Sequence, residues 1–298
     1  MQQPVIDVVD LFPGLRSALI ALLGELSPDD WQRPTACDGW SVHDVALHVL
    51  GVDVNIIAHD RDGQRQAVPP GLDLSDWNGL VAFIDQRNAI WVEATRRLSP
   101  RMTRDFLAET GPQVEAWFQA ADLLAPGDPV DWAGPDPAPV WVHVAREYTE
   151  RWVHQQHIRD AVGRPGMTEQ AWLHPVLDAF ALALPHTLRD VIAPPGAVVT
   201  LIVTGPAGGR WSVVSGSGKH RLATDRRTLR SARRLAGPRS GHRLAPVHPG
   251  NHARAGPGDQ RRYRRPGDHR YLAGDGLDHR LTGSESAGDQ YSSRLWTS

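Results

Sequence analysis

Apolar residues recur at helical spacing through residues 8–191 and change to alternation only beyond them. Val9, Leu15, Leu19, Leu22, Leu23 and Leu26 line one face of a helix over 8–26, with Pro13 tolerated near its start. SPDDW (27–31) and RPTACDGW (33–40) carry turn chemistry. A second helix opens at Ser41, whose hydroxyl can cap the free amides while Asp44 stands three positions on, and runs to about Asp60. A third starts at Ser75 or Asp76 and is ended by Pro100. Residues 101–124 read as a helix broken near Gly111 and Pro112, and the proline-rich stretch 125–139 as a structured loop. VWVHVAREYTERWVHQQHIRDAVG (140–163) is the most distinctive helix, stopped by Gly163 and Pro165, and another covers about 170–191. AVVTLIVTG and RWSVVSG then read as a strand pair across PAGG.

The fold class this predicts is mainly α: a helical bundle over 1–166, then a linking helix and the opening of a small α/β domain over 167–218. The whole is 298 residues, 41% hydrophobic, long enough to bury a substantial core. No run of eighteen apolar residues occurs, which excludes a membrane-spanning helix, and MQQPVIDVVD lacks the basic head and apolar stretch of a signal peptide. The single cysteine, Cys37, cannot form an internal disulfide, which fits a reducing cytoplasm and removes zinc sites built on several thiolates.

A net charge of −2 conceals two different stretches. Residues 219–298 hold 17 basic and 7 acidic residues, leaving 15 basic and 27 acidic before them. Leu and Val number nine in that tail, and Ile, Phe and Met are missing, about a tenth of the stretch and below the level at which chains bury a core. We expect 219–298 to be unstructured. A basic arm for nucleic acid is one explanation, but Lys219 is the only lysine and few aromatics are placed for stacking. A shifted reading frame in a GC-rich gene, which yields Arg, Gly, Pro and His codons, accounts for the composition better, so a nucleic-acid partner is not expected.

On the helix at 140–163, His143, Glu147, Glu150, His154 and His157 follow at spacings of 4, 3, 4 and 3. At about 100° per residue they share one stripe less than about 90° wide. The other faces carry Trp141, Val144, Tyr148, Trp152, Val153 and Ile158, so the stripe turns inward and must be paired, hydrated or metal-bound. Glu150 and His154, one turn apart, can reach one cation, and His48, mid-helix in apolar VALHVLG, is the best third ligand. A surface ion pair and a satisfied core histidine are the blander readings of these residues. Glu147 and His157 are candidates to support such a site through hydrogen bonds, while His43 and His59 have no special claim.

PTACDGWSVHDVALHVLGVD (34–53) and AREYTERWVHQQHIRDAVGRPG (145–166) resemble the two motifs of the mycothiol-dependent maleylpyruvate isomerase family, whose N-terminal domain is DinB-like. The resemblance covers about 1–218 and implies a four-helix bundle that binds a divalent metal, usually zinc, followed by a sterol-carrier-like α/β domain. It implies His48, Glu150 and His154 as metal ligands. Where several members carry Asp three residues after the second histidine, this chain has His157. The implied cosubstrate is mycothiol, a low-molecular-weight thiol, and the implied partner a small electrophile, with isomerisation or thiol transfer as the reaction. Two histidines and a carboxylate leave zinc an open position for a thiol or water, and they also suit nickel or iron. Glu147 or His157 would then orient ligands or move protons. Cys37 is not expected to be a nucleophile, since nothing near it in sequence supplies a base. A non-catalytic regulatory metal bundle and a zinc-water hydrolase are the rival readings.

Overall fold

The computed structural model describes residues 5–64, 77–130, 133–134, 136–216 and 220–223. Five helices build the bundle: α1 (Phe12–Gly24), α2 (Val42–Asn55), α3 (Trp77–Thr95), α4 (Pro100–Ala120) and α5 (Val140–Ala161). Two more, α6 (Gln170–Ala181) and α7 (Leu184–Thr187), lead to an antiparallel sheet. No helix among the described residues is long and apolar enough to cross a membrane.

α2 begins as its sequence requires. Ser41 accepts from the Asp44 amide, and the Asp44 carboxylate accepts in return from the Ser41 amide at 2.9 Å. Arg96, just past α3, donates to the same carboxylate at 2.8 Å, so one aspartate caps α2 and ties it to the next helix. Past Asn55 the helix widens into a π turn over Ile56–Arg61, a form common where a helix serves a site, and this turn carries His59 and Asp60. Gly51 lets α3 come close: a β-carbon there would stand 2.6 Å from Trp91 Nε1, which donates to the Leu47 carbonyl at 2.8 Å.

Several sequence expectations are revised. Pro112 does not break α4, because Pro112 and Ala108, the residue whose carbonyl loses its partner, both lie on the exposed face, where water can serve that carbonyl. α3 ends at Thr95, and Pro100 instead opens α4 behind a Ser99 cap, where a missing N–H costs nothing. The predicted start of α3 at Ser75 or Asp76 lies outside the described residues. Within the loop expected at 125–139, β1 (Pro126–Pro129) and β2 (Pro137–Pro139) pair antiparallel. The helix expected over 170–191 divides after Ala181, with Pro185 in the first turn of α7.

The strand pair is as predicted: β3 (Val198–Val203) and β4 (Gly209–Ser215) run antiparallel in a register that places Leu201 opposite Trp211. β5 (His220–Ala223) adds to β4, so the sheet, in the order β3-β4-β5, reaches into residues expected to be unstructured. The rest of that stretch, 224–298, lies outside the described residues. Trp211 donates to Asp178 on α6 at 2.7 Å, and His174 Nδ1 stands 3.0 Å from the Ala207 carbonyl, which fastens the hairpin to the helices. β3 keeps Val199, Leu201 and Ile202 exposed.

Among the described residues, two large apolar clusters lie within the bundle, and a smaller third one joins Trp141 and Val142 of α5 to Val130 and Leu182. One large cluster gathers Phe12, Leu15, Ile56, Val114, Phe118 and Tyr148; the other Leu19, Leu23, Trp31, Val45, Leu50 and Ile158.

Burial pushes the Asp44 carboxyl up, but the hydrogen bonds from Arg96 and Ser41 outweigh it and hold the group below its ordinary value. A depressed folded-state value gives stability that is present above the ordinary aspartate range and lost as pH falls through the folded-state value. Asp44→Asn is therefore expected to cost about 1 kcal/mol at neutral pH and to flatten the loss of stability on acidification below roughly pH 4. Urea titrations at a series of pH values check this; parallel pH curves for variant and parent would contradict it.

Candidate metal centre

α5 packs against α2, α1 and α6, and its inward stripe faces α2. His48 on α2 is 1% exposed, Glu150 2% and His154 0%, so any charge among them has to be met locally. Glu150 Oε1 stands 2.9 Å from His48 Nε2 and 3.0 Å from His154 Nε2, and the two imidazole rings meet edge to face at 4.6 Å. Burial pushes the Glu150 carboxyl up, yet the charge of His154 and the hydrogen bonds of both histidines prevail and hold it at about 2. Burial acts downward on His154, but Glu150 and Cys37 outweigh it and raise the ring to about 10. For His48 burial dominates and the value falls. Glu150 is thus a carboxylate held between two imidazoles, one of which its charge favours in the protonated form and the other of which burial disfavours in that form.

Two imidazole nitrogens and a carboxylate oxygen, all within 4.8 Å of one another, form a three-ligand set that suits a divalent ion. Ligand atoms around a tetrahedral zinc lie about 3.3 Å apart, given bonds of roughly 2.0–2.2 Å. The observed 2.9 and 3.0 Å would open by only a few tenths of an ångström. Trp40 stacks at a tilt on the outer side of His48, with ring centroids 5.1 Å apart.

Glu147 and His157 do not join the trio. Glu147 is bound by Arg146 and, at 2.8 Å, by Arg151, which also reaches Asp53 on α2 at 2.6 Å. Burial pushes Glu147 up, but Arg146 and Arg151 hold it below its ordinary value, so it stays an anion anchored to two guanidiniums. Asp53, buried as deeply, is pushed up by burial despite Arg151. The sequence signal for this network was the Glu147–Arg151 spacing of one turn; the Asp53 contact joins separate segments.

His157 instead meets Cys37, its Nδ1 3.2 Å from the sulfur, and His154 Nδ1 lies 3.9 Å from the same atom. Nothing near Cys37 in sequence supplies a base, as expected, but the fold brings two imidazoles to it from α5, far along the chain. Burial pushes the thiol up, but hydrogen bonds from His154 and His157 bring it down to about 6. The loop before α2 fixes Cys37. Its carbonyl accepts from the Trp40 amide at 3.0 Å, and Gly39, at φ 75°, takes the turn position that disfavours side chains.

His43, His59 and His143 lie apart from the trio. His43 Nε2 stands 3.2 Å from Thr103 Oγ1. His59 pairs with Asp60 at 2.6 Å, and His143 lies 3.5 Å from the same carboxylate. His59 and His143 line a cavity of about 1280 Å³, whose wall also includes His48, Glu147, Arg87 and Trp91.

Residues 12–159 match the family model described as the mycothiol maleylpyruvate isomerase N-terminal domain, and the chain belongs to that family through this helical domain. Two solved structures are similar, a mycothiol-dependent maleylpyruvate isomerase and a mutant of it. Each is 13% identical and covers 70% of this chain and 79% of its own, with TM-scores of 0.43 and 0.44 respectively. No curated protein matches the chain.

Arg151 neutralises two buried carboxylates, and removing one member of such a group leaves the others uncompensated. Arg151→Met should therefore lower the unfolding free energy by about 3–5 kcal/mol, measured by urea denaturation. A loss under about 1 kcal/mol, the value of a surface pair, would show that the network does not stabilise the bundle.

Proposed function

We propose that His48, Glu150 and His154 hold a divalent metal and that the chain activates a low-molecular-weight thiol, mycothiol by family, for attack on a small electrophile. The outcome would be isomerisation or thiol transfer. The observation that carries this reading is a buried two-histidine, one-carboxylate set whose His48 also lines a cavity of about 1280 Å³, enough for a thiol and its substrate together, since typical ligand pockets hold roughly 300–1,000 Å³. Bound zinc, or another ion suited to these ligands, supplies Lewis acidity that favours the thiolate at an open coordination position.

The residues of the chain do the rest. Glu150 lies between the two histidines and fixes which ring nitrogen each presents. Arg87 and Arg146, both on the cavity wall, offer positive charge to an anionic portion of either reactant. Trp91 and Trp117 line the same cavity with apolar surface that limits water around the reacting sulfur. Glu147, anchored by its arginines, keeps Arg146 and Arg151 in place. We assign this chemistry to a reducing cytoplasm, on the strength of the single free cysteine.

His154→Ala should lose bound metal, while His143→Ala and His59→Ala retain near-stoichiometric metal, measured by elemental analysis of purified protein. Equal metal in all three would overturn the ligand assignment. The nucleophile is tested in the Cys37→Ser background, so that the only thiol is the one added. Cobalt-loaded protein should gain sulfur-to-cobalt charge-transfer absorption with mycothiol. Unchanged spectra together with turnover of an ester or amide would establish a hydrolase instead, and unchanged spectra without turnover a regulatory bundle.

A further inference from the structure

The trio accounts for only one side of His154. Its Nε2 faces Glu150 and its Nδ1 faces Cys37, so one buried imidazole stands between two sets of potential ligands. On the second side, Cys37 Sγ, His154 Nδ1 and His157 Nδ1 all lie within 4.8 Å of one another. We propose that Cys37, His154 and His157 form a second metal site, suited to a thiophilic divalent ion and alternative to the site formed by His48, Glu150 and His154.

The distances support a common ion. With a metal–sulfur bond of about 2.3 Å and a metal–nitrogen bond of about 2.0–2.1 Å, tetrahedral geometry sets sulfur and nitrogen roughly 3.6 Å apart. The sulfur–nitrogen separations of 3.2 and 3.9 Å bracket that value. Cys37 is also held in place before any ion arrives: the Trp40 amide binds its carbonyl, its own amide donates to Thr35 Oγ1 at 3.2 Å, and its side chain packs in the second apolar cluster. Two imidazoles and a thiolate are softer than two imidazoles and a carboxylate, so the two sides of His154 differ in metal preference. His157 is half-buried and gives the ion a route from solvent, while the other two ligands are enclosed.

Sharing makes the sites compete. A neutral imidazole offers one lone pair, and the other nitrogen keeps its proton; filling both sites at once would require His154 to lose that last proton as well. On binding at the second site the one proton shared between the Cys37 sulfur and His154 Nδ1 passes to buffer, His154 keeps the proton on Nε2, and Nδ1 of both histidines donates its lone pair, with no change in oxidation state. An ion on the trio leaves Nδ1–H pointing at Cys37, whereas an ion on the second site leaves Nε2–H donating to Glu150, so His154 keeps a buried acceptor in either case.

The proposal goes beyond the thiol-activation reading and is tested without any added thiol. Cobalt(II) is titrated into the full chain under a non-thiol reductant, and absorption is recorded in the near ultraviolet. We expect a sulfur-to-cobalt charge-transfer band in the parent, its loss in Cys37→Ser, its weakening by at least tenfold in cobalt affinity in His157→Ala, and its retention in His48→Ala. The band should rise with no more than one cobalt per chain. Absence of the band at saturating cobalt, or its survival in Cys37→Ser, would overturn the site. Two cobalt ions per chain with an undiminished band would overturn the competition. Because Cys37→Ser is a one-atom change and His48→Ala disables only the trio, loss of the trio's metal without loss of this band separates the two sites.

Discussion

A carboxylate sealed inside a helical bundle is the constraint on which the rest of this protein turns. Glu150 has almost no contact with water, and an isolated charge in such a place is prohibitively unfavourable. Two imidazoles, one from the next turn of its own helix and one from α2, meet that charge. The packing of α2 against α5 therefore serves electrostatics as well as hydrophobic burial: displacing either helix would strip the carboxylate of a partner. The Asp53–Arg151–Glu147 network repeats the arrangement one turn away, again with α2 supplying one member and α5 the others. Both helices are stitched together by charge in their interior, and that interior polarity makes a divalent ion an acceptable guest.

The geometry also sets how the trio meets the large cavity. His48 and Glu147 open onto the large cavity, while Glu150 and His154 remain behind it. Of the trio, His48 is the member that lines the cavity, with Arg87 and Arg146 on the same wall. The π turn after α2 presents His59 and Asp60 to this space, which an uninterrupted α-helix would direct elsewhere. In this way a local irregularity of one helix shapes the wall of the cavity without touching the buried trio.

Much of this was readable from the sequence because it is local. The stripe on α5 follows from spacings of three and four residues, the α2 cap from Ser41 and Asp44, and the hairpin from alternation around PAGG. His48 stood out as a polar residue in an apolar run. Features joining distant segments were hidden: Cys37 meets His157 across 120 residues, and nothing near Cys37 hints at a partner. Pro112 misled because its effect depends on which face of α4 it occupies, a property of tertiary packing. The same is true of Pro100, which reads as a stop in isolation and serves as a start once Ser99 caps the helix behind it.

The outer strand of the sheet has a different kind of consequence. β3 forms an edge among the described strands, and Val199, Leu201 and Ile202 present their side chains to solvent along it. A largely apolar strand of six residues that is paired on one side only among the described strands is a template for another extended chain. Colloidal behaviour is thus tied to a margin of the small sheet and not to the buried trio of the bundle: conditions that mask or blunt this margin keep the polypeptide dispersed at high concentration.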